Sequence, residues 1–203
     1  MSDARTSRGR SASRVAATGI SEACAPAVLV SLFLLVVAFG SATWPESLQY
    51  ALVAVGLTTA IPLAGVLVLV RRGHVTDHHV SDRRQRAPVL AGALISIAVG
   101  LVVLMLIDAP WAVVGAVLCT VGGVVVVLLV NLWWKLSAHS AVALFVTVGA
   151  ISLFGPAASV LVVMPLAVGW SRVRLRAHTP AQVAAGHVIG AVIGAAFALF
   201  VAP

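Results

Sequence analysis

The sequence predicts an all-α fold, a polytopic transmembrane helical bundle. Two observations indicate this class. The chain has 203 residues, of which 61% are hydrophobic and only 9% are charged, whereas a soluble domain is usually about one quarter charged. The apolar residues are also grouped into runs of about 20 residues, the length that crosses a bilayer. A soluble domain of this size needs a polar exterior, so the composition excludes that class and makes the bilayer the expected solvent.

The N-terminal segment, residues 1–23, is polar, small and basic. It has too few apolar residues to order by itself, and we expect a disordered cytoplasmic tail. The apolar run that follows, Cys24–Thr43, is longer than the roughly 7–15 residues of a signal-peptide core, which favours an uncleaved first span. Residues 24–203 are therefore interpreted as one transmembrane domain.

Four further apolar runs are each long enough to cross the hydrocarbon core. They are Ser47–Val70, Pro88–Ile107, Trp111–Trp134 and Gln182–Ala202. Another stretch, Ser140–Trp170, is too long for one crossing and short for two, but Gly155 and Pro156 near its middle are typical of a tight turn. Two short helices fit this stretch best. The sequence therefore predicts about seven spans, with six as the alternative.

The basic residues predict the orientation. All thirteen lysines and arginines fall in four segments, namely residues 1–23, Arg71–Arg86, Lys135 and Arg172–Arg176. An even number of predicted spans separates each successive pair, so the four segments share one face. Lys and Arg in short loops stay on the cytoplasmic side, and we therefore expect this face and the N-terminus to be cytoplasmic in the cell inner (plasma) membrane.

Three glycines in the last span, Gly186, Gly190 and Gly194, repeat every four residues and so share one helix face. Because this face has no side chains, another helix can approach it closely. The pattern is a packing signal that fits two partners equally well. Either a helix of the same bundle covers the face, or a second copy of the chain does and the protein is a homo-oligomer.

Three polar segments interrupt the apolar runs on the basic face. The first, Thr76–Arg86, has one apolar residue in eleven. Its candidate site residues are Asp77, His79, Arg83 and Arg86. A plain solvated cytoplasmic loop is the alternative interpretation, because lone charges near a span end usually extend to the interface without further function.

The second polar segment, Lys135–His139, directly precedes an apolar helix. Ser137 is placed as the N-cap of that helix, so the backbone N–H groups that follow it point toward open space. A helix N-terminus of this kind binds anions. His139 is either part of an anion site or a bystander beside an ordinary cap.

The third polar segment, Ser171–Gln182, also ends in a helix start. Thr179 and Gln182 form a capping box, with proline at the first helical position between them. His178 comes just before this start, where the macrodipole favours a negative ligand. Two helix N-termini, several arginines and two histidines on one face together predict a site for an oxyanion.

The spacing in this third segment resembles a known motif. Ser171-Arg172, five residues, His178, three residues and Gln182 is similar to S-R-x5-H-x3-D, the third motif of the type-2 phosphatidic acid phosphatases. This family belongs to a superfamily that includes vanadium haloperoxidases. Gln182 stands where the family has aspartate, and its side-chain oxygen is expected to orient the imidazole without supplying the charge.

Two further matches accompany the third motif. Ser137 and His139 correspond to the serine and histidine of the second family motif, P-S-G-H. The first motif, K-x6-R-P, is similar to His79, six residues and Arg86, with histidine in place of lysine and one extra residue before the proline. The resemblance runs from about Arg71 to the C-terminus.

The resemblance implies that residues 24–203 form a phosphatase-like domain that hydrolyses a phosphate monoester or diphosphate of a lipid, such as a phosphatidate-like or polyprenyl phosphate. By analogy, His178 is the nucleophile that forms a phosphohistidine, and His139 is the general acid. The implied phosphate-binding residues are Arg86, Arg172, Ser137, His79 and Lys135, and the supporting residues are Gln182, Asp77 and Arg83. Neither a metal nor another cofactor is expected.

The alternative function is non-catalytic, namely the binding or transport of an anionic lipid, for which a basic face would suffice. The two hypotheses differ in their dependence on histidine, because binding would need the arginines but tolerate the loss of His178. In both, the expected partners are a lipid phosphate and membrane lipids, and no nucleic acid is involved.

Overall fold

The structure is a computed structural model that describes the backbone of residues 2–75 and 83–202 and the side chains of residues 12–75 and 88–202. Its described regular structure is entirely helical. The helices are α1 (Ser2–Ala23), α2 (Pro26–Ser41), α3 (Glu46–Val55), a π-helical turn (Gly56–Ala60), α4 (Ile61–Arg71), α5 (Arg83–Leu106), α6 (Trp111–Asn131), α7 (Ala138–Phe154), a 3-10 helix (Pro156–Val162), α8 (Val163–Arg174) and α9 (Pro180–Phe200).

Length and hydropathy confirm the predicted polytopic helical bundle. Five continuous helices are long and apolar enough to cross a membrane: Glu46–Arg71, Pro88–Leu106, Trp111–Asn131, Pro156–Arg174 and Pro180–Phe200. A sixth is obtained if the end of α1 and α2, which meet at a bend of 43°, count as one span. The 17 residues of α7 extend about 26 Å at 1.5 Å per residue, slightly less than the hydrocarbon thickness of about 30 Å. A total of seven spans stays a prediction.

The predicted break in the stretch Ser140–Trp170 is confirmed. α7 ends at Phe154, and Gly155 follows it with a φ of 74°. Glycine takes this left-handed conformation without steric cost, which makes it the common residue after a helix C-terminus. Pro156 then starts the 3-10 helix that continues into α8, so the chain reverses direction within one residue.

The glycine face of α9 packs against α7 of the same chain. A Cβ at Gly186 would lie 2.6 Å from the Ser137 carbonyl oxygen, and one at Gly194 would lie 2.6 Å from Val148. A Cβ at Gly190 would overlap the backbone of Ala141. The two backbones nearly touch, so this face has no room for side chains. The sequence allowed either a helix of the same bundle or a second copy of the chain to cover the face, and the structure shows α7 of the same chain there.

The order of these contacts shows that α7 and α9 run parallel, with both N-termini at one end of the bundle. At the opposite end, Trp111 Nε1 donates a hydrogen bond to the Phe200 carbonyl oxygen at 2.9 Å. We call the first end the basic end, because α4, α6 and α8 finish there and the loops carry the cationic side chains. The described ones at or beside it are Arg71, Arg72, Lys135, Arg172, Arg174 and Arg176.

A cluster of three aromatic rings forms the centre of the bundle. Phe33 of α2 contacts Phe145 of α7 and Phe197 of α9 edge to face, with ring centroids 5.1 and 5.0 Å apart. All three rings are buried. Edge-to-face contacts of this kind contribute about 0.5–1.5 kcal/mol beyond burial, so the cluster joins α2 to the α7–α9 pair.

The prediction of a disordered tail is wrong for the described part of residues 1–23, which is helical. α1 packs along α8. Arg172 Nη1 donates to Ser21 Oγ at 2.6 Å, and Arg174 donates to Ser13 Oγ at 3.1 and 2.7 Å. The segment has no apolar stripe of its own, but its serines supply hydrogen-bond acceptors to arginines that are distant in sequence.

The close α7–α9 contact gives the first testable prediction. Gly190→Ala is expected to lower the free energy of unfolding by about 1–3 kcal/mol, because the added methyl group must displace the backbone of α7. Thermal unfolding in detergent measures the effect. The control is Gly92→Ala, since a Cβ at Gly92 has no atom within 4 Å and alanine is the better helix former. Equal stability of the two variants would contradict the tight contact.

Candidate functional site

A cavity of about 470 Å³ opens on the side of the bundle and reaches its basic end. Most of its wall is apolar. Four ionisable side chains line it at the basic end, namely Glu22, His139, Arg172 and His178. Three of these, His139, Arg172 and His178, were predicted as site residues from the sequence, and they come from two separate polar segments.

His139 is positioned by the start of α7. Ser137 is the N-cap, as predicted, and its Oγ accepts a hydrogen bond from Ser140 N at 3.3 Å and lies 2.9 Å from Ser140 Oγ. This cap fixes the first turn, and His139 is the second residue of that turn. Its side chain is 6% exposed, so the imidazole faces the cavity rather than the outside of the bundle.

His178 is positioned by the turn between α8 and α9. After α8 ends, Arg176 takes a φ of 57°, and the backbone N–H groups of Ala177 and His178 both donate to the Arg172 carbonyl oxygen, at 3.0 and 3.3 Å. The chain thus folds back over its own helix end. This turn holds His178, which is 8% exposed, beside the residue that provides the buried cation of the site.

Arg172 lies in the last turn of α8 and is only 7% exposed. Its Nη1 donates to Ser21 Oγ. An arginine keeps its charge at every physiological pH, and burying that charge costs several kcal/mol unless anionic or polar groups compensate. A planar guanidinium at the end of a cavity is also suited to a phosphate group, because it can donate two parallel hydrogen bonds.

Two helix N-termini meet at the same place. Ser137 N donates to the Gln182 carbonyl oxygen at 3.4 Å, which joins the beginnings of α7 and α9. Each N-terminus carries about half a positive elementary charge from the helix macrodipole, a field that favours an anion nearby. The predicted anion-binding environment therefore combines two helix ends with the buried arginine.

Other predicted site residues lie beside the cavity rather than on its wall. Ser137 is completely buried and serves the α7 cap, and Lys135 is half-buried. The predicted capping box at α9 is confirmed: Gln182 Oε1 accepts from Thr179 N at 3.1 Å, and Thr179 Oγ1 accepts from Gln182 N at 3.3 Å. The amide oxygen of Gln182 thus binds a backbone group, not the imidazole that was its expected partner.

The remaining predicted residues fall in the first polar segment. Asp77 and His79 lie outside the described residues. Arg83 and Arg86 are in the first turn of α5, and their side chains lie outside the described part. Their assignment to phosphate binding therefore stays a prediction, although the start of α5 lies at the basic end.

Ser21 and Glu22 are site residues that the sequence did not predict. Both were assigned to a disordered tail, yet Ser21 is fully buried against Arg172 and Glu22 is the only carboxylate among the described residues of the cavity wall. One signal was available: an acidic residue stands next to the first span in a segment that otherwise favours arginine. A carboxylate on the same wall as Arg172 and two histidines is a candidate partner for one of them.

The rest of the cavity wall has little hydrogen-bonding capacity. Thr59 Oγ1 donates to the Val55 carbonyl oxygen at 2.9 Å, and Thr120 Oγ1 donates to that of Ala116 at 3.0 Å. Thr58 is the exception, because its buried Oγ1 has no hydrogen-bond partner within the described part of the chain. Among the described side chains, His, Cys, Asp and Glu form no group of three or more that could hold a metal ion. The cavity thus has one charged end and an apolar body, a division typical of sites for amphiphiles.

No family model, curated protein or solved structure matches this chain. The resemblance to type-2 phosphatidic acid phosphatases accordingly rests on the three short motifs alone and stays a prediction.

The contact between α1 and Arg172 gives the second prediction. Ser21→Ala is expected to lower the free energy of unfolding by about 1.5–3 kcal/mol, the contribution of a hydrogen bond to a charged group. The matched control is Ser13→Ala, which removes the acceptor of the half-buried Arg174 and is expected to cost less because water can replace the serine. Thermal unfolding would contradict the assignment if Ser13→Ala were the more damaging of the two.

Proposed function

We propose that the protein is a membrane-embedded lipid phosphatase that acts through a phosphohistidine intermediate. One observation carries the proposal. His139, Arg172 and His178, which the sequence assigned to general acid, phosphate ligand and nucleophile, line the charged end of one cavity whose body is apolar. A lipid phosphate has the same division into an anionic head and a hydrocarbon chain.

The reaction has two steps in this proposal. An imidazole nitrogen of His178 attacks phosphorus, the bond from phosphorus to the lipid oxygen breaks, and His139 gives a proton to the departing alkoxide. Water then attacks the phosphohistidine, the phosphorus–nitrogen bond breaks, and His139 takes a proton from the water. Phosphate leaves and both histidines return to their starting states. Phosphoryl transfer depends mainly on positioning and charge stabilisation, the roles of Arg172 and of the two helix N-termini.

Glu22 is proposed as the positioning residue. A carboxylate that accepts a hydrogen bond from an imidazole fixes the tautomer and stabilises the positive charge that develops on the ring. Part of this role was predicted for Gln182, whose amide oxygen is held by the α9 cap. Glu22 lines the same cavity as both histidines, and it carries the negative charge that a glutamine lacks.

The basic end is proposed to face the cytoplasm in the plasma membrane. The described cationic side chains of the loops are gathered there, as the positive-inside rule requires of cytoplasmic loops. An anionic cytoplasmic leaflet also attracts such residues by about 1 kcal/mol each. The proposed substrate then belongs to the cytoplasmic leaflet, and the phosphate product is released into the cytoplasm.

The histidine roles give the third prediction. Phosphate release is measured with purified protein in EDTA, from phosphatidate, phosphatidylglycerophosphate and isoprenyl mono- and diphosphates. His178→Ala is expected to abolish release because the nucleophile is lost, whereas His139→Ala should retain a trace, since losing an acid–base group costs about 10²–10⁴ in rate. Acid-labile phosphate bound to the protein should be trapped by rapid quenching in the native enzyme and be absent from His178→Ala, whereas His139→Ala slows both its formation and its hydrolysis.

The matched control is His187→Gln. His187 is a third histidine of the same region, but its Nε2 lies 3.1 Å from the Pro165 carbonyl oxygen, between α8 and α9, and it is not on the cavity wall. Its substitution should leave phosphate release within a few fold of the native rate. If no substrate releases phosphate, while the native protein and His178→Ala both still bind lipid phosphate, the result would instead favour anionic-lipid binding or transport.

The proposed role of Glu22 gives the fourth prediction. Glu22→Gln is expected to lower kcat by about 10- to 100-fold, the usual cost of losing a partner that orients an imidazole, with little change in KM. The pH–rate profile should shift as well, because the negative charge that favours the imidazolium is gone. Glu46→Gln is the control, since Glu46 begins α3 at the opposite end of the bundle. An unchanged pH profile in Glu22→Gln would exclude the positioning role.

A further inference from the structure

We infer that the body of the cavity holds one hydrocarbon chain of the substrate, and that Gly123 determines how long a chain fits. The inference deepens the proposed function and rests on it for the nature of the head group. It concerns the apolar part of the cavity, away from the catalytic residues. The chemical class is a phosphate ester of a long-chain alcohol or lipid whose chain lies inside the protein rather than in the bilayer.

The cavity wall changes character along its length. At the basic end it has the ionisable residues of the proposed active site. Beyond them, the wall is formed by small and branched apolar side chains of α2, α5, α6 and α7, including Val30, Val89, Val124, Val127 and Val142. An apolar wall of this kind binds hydrocarbon through dispersion contacts and leaves a polar ligand without partners.

The depth of the cavity follows from helix geometry. Its wall on α5 extends from Val89 to Ile97, and its wall on α6 from Val127 to Cys119. The two ends of each stretch are eight residue steps apart, or about 12 Å at 1.5 Å per residue. That depth is a little less than half of the hydrocarbon thickness of about 30 Å. The cavity therefore spans nearly one leaflet and stops near the middle of the bilayer.

The inner end of the cavity is closed by the core. Phe145 forms part of the wall and also contacts Phe33 of the central aromatic cluster. Ile97, on the facing helix α5, is 1% exposed. A chain that enters at the basic end cannot extend past these residues without displacing the core, which is packed as densely as a crystal.

Access from the bilayer is provided between α2 and α4. α2 packs against α3 and the π-helical turn, whereas α4 packs against that turn and α5, so α2 and α4 have no extensive contact and leave a gap where both line the cavity. A π-helical turn is a common cause of helix bending, and Pro62 is the second residue after it. Val28 on one side of this gap is 42% exposed, and Leu63 on the other is 38% exposed, although both also line the cavity.

Gly123 is placed where a side chain would shorten the cavity. It lines the wall about one helical turn, or 5.4 Å, from Cys119 at the inner end. A Cβ at this position would lie 3.3 Å from Ile193 Cδ1, which lines the same wall, so a larger side chain here must displace Ile193 or extend into the cavity. Gly122, its neighbour on α6, is exposed on the outside of the bundle and would place a Cβ with no atom within 4 Å.

The test compares three variants with n-alkyl phosphates of increasing chain length. Gly123→Leu blocks the inner part, Ile193→Ala enlarges it, and Gly122→Leu adds the same side chain outside the cavity. All are made with Cys24→Ser, so that the remaining thiol, Cys119, lies on the cavity wall. Binding is read as protection of Cys119 from N-ethylmaleimide, with each alkyl phosphate at the same mole fraction in detergent micelles. Phosphate release is measured in parallel.

In the native background, protection should be greatest at one chain length. Gly123→Leu is expected to shift this preference toward shorter chains by about four carbon atoms, the bulk that the leucine side chain adds. Ile193→Ala should shift it toward longer chains, and Gly122→Leu should leave it unchanged. The preference for hydrolysis should move in parallel with the preference for binding.

The outcomes separate this inference from the proposed function. Shifts in protection without any phosphate release would support the chain site and contradict the phosphatase. Release that depends on His178, with the same chain-length preference in all three variants, would support the phosphatase and overturn the chain site. The chain site is also overturned if Gly122→Leu shifts the preference as much as Gly123→Leu, because the chain would then lie outside the bundle.

Discussion

The site depends on the close contact between α7 and α9. Helices that pack through ordinary side chains keep their axes about 8–10 Å apart, whereas the glycines of α9 let its backbone touch that of α7. This contact also fixes the register, because Ser137 N reaches the Gln182 carbonyl oxygen. The two helix starts, and with them His139 and His178, are therefore side by side. A parallel pair of helices can place two N-termini at one end of a bundle only if the chain crosses back between them, and α8 provides that crossing.

Arg172 connects this pair to the rest of the molecule. A buried guanidinium is costly without compensation, and α1 supplies part of it through Ser21. The folding of α1 and the burial of the Arg172 charge thus depend on each other. α1 has no apolar face to bury, and it gains stability because its serines accept hydrogen bonds from arginines of α8. Glu22 lies next to the bend of 43° between α1 and α2 and lines the cavity, which places a carboxylate on the same wall as Arg172.

The sequence predicted those features that depend on local chemistry. The N-cap at Ser137, the capping box at Thr179 and the chain reversal at Gly155 each follow from residues within a few positions of one another, and the apolar runs follow from bilayer thickness. It could not predict the order of α1, whose partners are about 150 residues away in sequence. Gln182 shows the same limit within the site. The sequence suggested two roles for its side-chain amide, the capping box and the orientation of an imidazole. Only the structure shows that its oxygen accepts the capping hydrogen bond.

The apolar body of the cavity would also affect the proposed reaction in two ways. A low-dielectric wall strengthens the attraction between Arg172 and a phosphate group, and a bound chain would keep water from the space beside the histidines. Under the proposed mechanism, attack by His178 would then precede attack by water, because water would gain room only after the alcohol product had left the cavity. A covalent intermediate is consistent with such a site, since it retains the phosphoryl group while the chain departs. In the proposed mechanism, the apolar wall and a histidine nucleophile would therefore act together, and the shape of the cavity would order the two steps.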